Sequence, residues 1–141
     1  MAKVAAVSLE RRQAVWQRAA AAAAIARLRR TDPAVAKLVS LVASACGVEP
    51  TELLRRTRCA PNIAFARQLA MYLTNVKLGR NMKEIGHLFG RDRTTVSYAC
   101  ALMEDRREGE FEIRVDALEA AIDATLAAAN DVSREARHAV G

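Results

Sequence analysis

Aromatic residues make up only 4% of this 141-residue chain. A bulky aromatic core is thereby excluded. The 52% hydrophobic content is largely alanine, which favours thin, closely packed helices. Glycine and proline are also few, at 6 and 3, and this too favours helices. Three cysteines, Cys46, Cys59 and Cys100, are odd in number and lack CxxC spacing. They predict a reducing, cytoplasmic setting, with Cys46 and Cys100 as small buried thiols. Only His87 and His138 accompany them, so no zinc constellation and no metal site is expected. No apolar run reaches the length of a membrane span, and no signal peptide is seen behind Lys3. There is no GxxxxGK[ST] phosphate loop and no nucleophile–base pair. The chain is read as a non-enzyme with no cofactor and no small-molecule substrate.

Charge is present but unevenly spread. Residues 1–30 hold seven Lys/Arg against one acid, and residues 61–107 hold eight against four. Residues 108–141 hold three against eight. Two basic regions suit phosphate contact at two places, whereas the acidic tail suits packing or solvation.

The segment Met82-Lys-Glu-Ile-Gly-His-Leu-Phe-Gly-Arg-Asp-Arg-Thr-Thr-Val96 predicts a helix, a tight turn and a second helix. Ile85, Leu88 and Phe89 share one helical face. Gly86 is small enough for a second helix to pass close by. Gly90 suits the left-handed end of the first helix. Asp92 sits where an N-cap belongs, so Arg93, Thr94 and Thr95 fall in the exposed first turn of the next helix. Such a helix end suits a DNA major groove. Its amides and hydroxyls can meet phosphate, and its long side chains can reach base edges.

Upstream stands Ala66-Arg-Gln-Leu-Ala-Met-Tyr-Leu73, and downstream Arg91-Asp-Arg-Thr-Thr-Val-Ser-Tyr-Ala99. With Glu84-Ile-Gly86 between them, these motifs resemble the C-terminal, origin-binding domain of the bacterial replication initiator DnaA. The resemblance covers about Pro33 to Ile122 and not the initiator's ATPase. It implies an all-α multi-helix domain with a helix-turn-helix, a stand-alone module that binds double-stranded DNA. In the family the Asp-His-Thr-Thr run reads bases, which implies base contacts for Asp92, Arg93, Thr94 and Thr95. The Arg-Gln pair clamps phosphate there, which implies backbone contact for Arg67 and Gln68. Lys77, Lys83, Arg91, Ser97 and Tyr98 are further backbone candidates. The basic run Arg55, Arg56 and Arg58 corresponds to the family's minor-groove loop. The family's minor-groove arginine itself falls on Cys59, with Arg58 as its neighbour. Two further departures concern the reading head: Arg93 replaces a histidine, and the turn has one glycine where the family commonly has two.

Along the chain, helices are predicted over Leu9–Arg30, Pro33–Cys46, a short stretch after Glu49, Ile63–Leu78, Met82–Phe89, Asp92 to about Arg107, and Ile113 to roughly Asn130. Thr51, Asn62 and Asn81 are candidate caps. Gly47 ends the second helix. Inward positions are Val35, Leu38, Val39 and Val42, then Ile63, Ala66, Leu69, Ala70, Leu73 and Val76, then Val96, Ala99, Cys100 and Met103. The last helix buries Val115, Leu118, Ile122 and Leu126. Trp16 reads as a packing anchor, and Tyr72 and Tyr98 as core-edge residues. Residues 131–141 read as frayed. The organisation expected is a basic Ala-rich extension over 1–32, the DNA-binding domain over 33–125 and an acidic tail over 126–141. The N-terminal helix is a candidate for self-association or for a partner. Regulation of replication initiation and transcription regulation both fit the DNA-binding reading. A protein-interaction module without DNA binding is the rival class.

Overall fold

In the computed structural model, residues 2–55 and 60–140 are described. Every regular element among them is an α-helix. These are α1 (Ala2–Thr31), α2 (Pro33–Cys46), α3 (Pro50–Leu53), α4 (Pro61–Leu78), α5 (Met82–Phe89), α6 (Arg93–Asp105) and α7 (Gly109–Val140). The all-α expectation holds. No helix among the described residues is long and apolar enough to cross a membrane.

Local chemistry explains most boundaries. Asp32 caps α2, its carboxylate accepting from the Val35 amide at 3.4 Å, and Pro33 takes the first turn, where a missing N–H costs nothing. Gly47 ends α2 at φ 68°. Asn81 caps α5 by accepting from the Glu84 amide at 2.8 Å. Two candidate caps are corrected. Glu49 and Ala60 hold the N-cap positions of α3 and α4, because Pro50 and Pro61 pre-set the first helical φ. Thr51 and Asn62 therefore lie inside their helices.

The core lies where α2 and α4 meet α6 and α7. Val35, Val39, Val42, Ala66, Leu73, Ile85, Val96 and Met103 are all fully buried there. The inward positions predicted on α2 and α6 are correct. On α7, Val115, Leu118 and Ile122 are buried, and Leu126 packs partly against them. On α4, Val76 is corrected: it is 46% exposed, beyond the reach of the neighbouring helices. Phe65 and Phe111 meet edge to face at 5.8 Å and join α4 to the start of α7.

Both long terminal helices differ from expectation. The sequence places an end near Asn130, but α7 continues to Val140. The segment is mostly exposed, and no glycine or proline interrupts it before Gly141. α1 also starts earlier than predicted. Its attachment to the core uses Ala21, Ile25 and Leu28, which lie four and seven apart on one face. Leu9, Val15 and Trp16 are off that face and 58%, 63% and 76% exposed. Trp16 is thus not a packing anchor.

Candidate nucleic-acid interface

The turn between α5 and α6 is set by two glycines with different duties. Gly90 adopts φ 64°, the left-handed conformation that ends α5. Gly86 lies within α5, and a Cβ there would stand 2.6 Å from the Arg91 carbonyl oxygen. The element that passes close by is therefore the backbone of the turn, not the body of the second helix. The same approach lets the Arg91 amide donate to the Gly86 carbonyl at 2.9 Å. Ile85 and Phe89 are buried beneath this turn, with Leu88 half-buried.

α6 then divides cleanly. Val96, Ala99, Cys100 and Met103 face the core, while Arg93, Thr94, Thr95, Ser97 and Tyr98 are exposed. Asp92 occupies the N-cap with extended backbone, but its carboxylate makes no capping hydrogen bond. The α6 N-terminus thus keeps unsatisfied amides next to exposed hydroxyls and an arginine. Tyr98, expected at the core edge, is 65% exposed and joins this outer face. Lys83 is exposed on α5.

The C-terminal end of α6 is held firmly. Tyr72 on α4 is buried and donates to the Glu104 carboxylate on α6. Arg107, just past α6, donates to the Tyr72 hydroxyl at 3.1 Å and to Glu119 at 2.6 Å. It also pairs with Glu112 at 2.8 Å and Asp116 at 2.8 Å on α7. Burial, with Glu104 beside it, raises the Tyr72 phenol above its ordinary range. Hydrogen bonding from Arg107 lowers the Glu112 carboxyl. Sequence reasoning missed this network, although Glu112, Asp116 and Glu119 share one helical face, a pattern readable along the chain.

Several basic candidates are turned toward protein. Arg67 is 7% exposed. Its guanidinium donates to the carbonyls of Leu53 (2.9 Å), Glu52 (3.0 Å) and Arg55 (3.2 Å). A surface phosphate clamp is thereby corrected to an inward strut, because the end of α3 leaves carbonyls that need donors. Arg55 is also occupied, binding both oxygens of Glu52 at 3.0 Å and the Gln17 side chain at 3.1 Å. Arg91 donates to the Arg55 carbonyl at 2.8 Å, which ties the α5–α6 turn to the segment after α3. Lys77 pairs with Asp123 on α7 at 2.9 Å, and that bond raises its ammonium above the ordinary range. Gln68 is half-buried. Arg56, Arg58 and Cys59 lie outside the described residues. Cys46 is half-buried and Cys100 buried, with both thiols pushed up by burial. Among the described residues no group of three His, Cys, Asp or Glu is arranged to hold a metal ion.

A helix ending in left-handed glycine, a turn closed on a second glycine, and a polar-headed helix over a Val/Ala/Cys/Met seam form a helix-turn-helix. The family described as "Bacterial dnaA protein helix-turn-helix" matches residues 35–102. These residues are a DnaA-type helix-turn-helix domain. The chain is similar to the chromosomal replication initiator protein DnaA of Mesorhizobium japonicum, 48% identical over 68 residues, 46% of this chain and 13% of that protein. The DnaA of Thermus thermophilus is 37% identical over 79 residues, 55% of this chain and 18% of the relative. That of Lactococcus lactis is 44% identical over 55 residues, 38% and 12% of the two chains. The chain thus spans less than a fifth of the length of these curated relatives. The DnaA-type segment begins in α2 and ends in α6, so α1 and α7 lie outside it.

Proposed function

We propose that this protein binds double-stranded DNA in a sequence-specific way, at sites akin to those of the replication initiator, and regulates replication initiation. The observation that carries this reading is the exposed head of α6. Asp92, Arg93, Thr94 and Thr95 stand clear of the core at the end of a DnaA-type helix-turn-helix. Arg93 and the two threonines read base edges in the major groove. Lys83, Ser97 and Tyr98 meet flanking phosphates, with the α6 amides. Arg67 and Arg91 act on the interface by holding residues 52–55, where the loop after α3 begins, beside the α5–α6 turn, and Gln68 meets a phosphate. Arg56 and Arg58 belong to that loop and serve the minor groove. The setting is the bacterial cytoplasm, at the nucleoid.

Arg93 stands where the family has histidine, and its fork suits the two acceptors of guanine. The preferred site therefore differs from the usual initiator box by at least one base pair, with guanine opposite Arg93. Selection of bound duplexes from a random pool tests this. The expected product is one preferred sequence whose affinity falls with salt at a log–log slope of roughly −0.9 per phosphate contacted. Absence of duplex binding at low salt refutes the proposal. Recovery of the unaltered initiator box, bound equally well by Arg93→His, refutes the role given to Arg93.

A further inference from the structure

The net charge of the chain, +6, resides in α1, which carries seven Lys/Arg and one Glu; the remaining residues sum to zero. The second half of α1 belongs to the fold through Ala21, Ile25 and Leu28. Among residues 8–18 no side chain is buried. Arg11, Arg12 and Arg18 are exposed, and no acidic side chain among the described residues pairs with them. Leu9, Arg12 and Trp16 fall on one outward face, with spacings of three, four and seven. Arginine interrupts that apolar face, which is too narrow for a helix–helix seam.

Position gives the free half its meaning. Gln17 accepts a hydrogen bond from the Arg55 side chain at 3.1 Å, and the Arg55 carbonyl accepts one from Arg91 at 2.8 Å. Two hydrogen bonds thus separate the middle of α1 from the residue before Asp92. At about 1.5 Å per residue, residues 2–16 extend roughly 20 Å from this edge. That span matches about six base pairs of duplex, each strand carrying a phosphate every 3.4 Å or so.

Resting on the DNA-binding reading above, we infer that the N-terminal half of α1 is a second DNA-contacting element. It lies on the sugar–phosphate backbone beside the site read by α6 and lengthens the footprint on one side. Arg12 meets a phosphate with Trp16 packed beside it on the same face, and Arg11 and Arg18, which share the adjoining face, reach round to neighbouring phosphates. None of these groups reads bases, so the element adds affinity and polarity to the complex without altering sequence choice.

Trp16 is the chain's one tryptophan and is 76% exposed, so its emission reports on α1 directly. The full chain is titrated with two duplexes: the selected site alone, and the same site with about ten base pairs of flank on each side. Binding is followed separately by anisotropy of labelled DNA. The flanked duplex should bind several-fold tighter and quench Trp16, while the trimmed duplex leaves Trp16 largely unchanged. The triple variant Arg11→Ala/Arg12→Ala/Arg18→Ala keeps helix propensity high. It should abolish the difference and lower the salt slope by roughly 0.9 for each phosphate that the arginines no longer neutralise. Its preferred sequence should be that of the parent. Trp16 emission that stays constant while the flanked duplex saturates the protein overturns the inference. So does a Trp16 response to phosphatidylglycerol vesicles but not to DNA, which assigns α1 to a lipid surface. Failure to bind either duplex is a different result: it removes the proposed function, and this element falls with it.

Discussion

Replacing Gly86 with alanine puts a methyl group 2.6 Å from the Arg91 carbonyl oxygen. Ordinary carbon contacts lie near ~3.5 Å, so the turn must move by roughly 1 Å. Three effects compete. Helix propensity favours alanine over glycine by about 0.5–1 kcal/mol. Overpacking against backbone, which cannot rotate aside as a flexible side chain does, costs about 1–3 kcal/mol. The Arg91 amide also gives up its 2.9 Å bond to the Gly86 carbonyl as the turn retreats, a further cost of about 1 kcal/mol. The balance is a destabilisation of about 1–3 kcal/mol, or several degrees in Tm for a chain of this size. The displaced turn carries Asp92 and Arg93 with it, so binding to the preferred duplex should weaken at least tenfold, and more than binding to random DNA. Thermal unfolding followed by circular dichroism, with anisotropy on both duplexes, measures the two effects. A Tm above that of the parent, with unaltered affinity, would show that the turn yields freely and that Gly86 plays no part in aiming α6.

Other perturbations separate the reading head from its supports. Arg93→Ala should cost about 1–3 kcal/mol on the preferred site and relax choice at one or two positions; equal losses on specific and random DNA would refute a base contact. Arg67→Ala removes a donor from three carbonyls near the end of α3, of which Arg55 keeps its bond from Arg91, so it should weaken binding to all sequences alike and increase proteolysis near residues 55–60; unaltered cleavage there would rule out the inward strut. Arg107→Ala strands the Tyr72–Glu104 pair and three α7 carboxylates, and should lower stability by about 2 kcal/mol, discounted from a buried pair because Asp116 is 61% exposed; Tm within a degree of the parent would refute it. The Asp32 carboxyl is held below its usual range, first by its hydrogen bond from Arg80, with the two oxygens 3.0 Å from the guanidinium. Its stabilisation is therefore present above the unfolded carboxyl value of about 3.9 and is lost as pH falls through the lower folded value. Tm should drop less between pH 6 and 3 in Asp32→Asn than in the parent, and an equal drop would remove Asp32 from the account.

The helix-turn-helix was legible because its signals are short-range. Gly90, Asp92 and the Ile85/Phe89 face each act within a turn or two, and the Val96, Ala99, Cys100, Met103 seam repeats at the helical period. The fully buried α2 stripe and the Gly47 stop were readable for the same reason. The family motifs sit in this local code, which is why the resemblance was visible along the chain itself.

Which way the long cationic side chains turn was decided only in three dimensions. Arg55, Arg67 and Lys77 look alike in sequence to residues that face phosphate. Yet the Gln17 side chain, the carbonyls ending α3, and Asp123, each remote along the chain from its partner, draw them inward or aside. The anchoring of α1 through Ala21 in place of Trp16 was equally hidden, because a close helix approach selects the smallest side chain and not the most hydrophobic. A flexible cation goes to whichever oxygen folding brings near, and no helical period encodes that distance. Local capping and periodicity could therefore be read along the chain, whereas which arginines turn toward protein and which stay exposed was decided by the packing of α1, α3, α4 and α7.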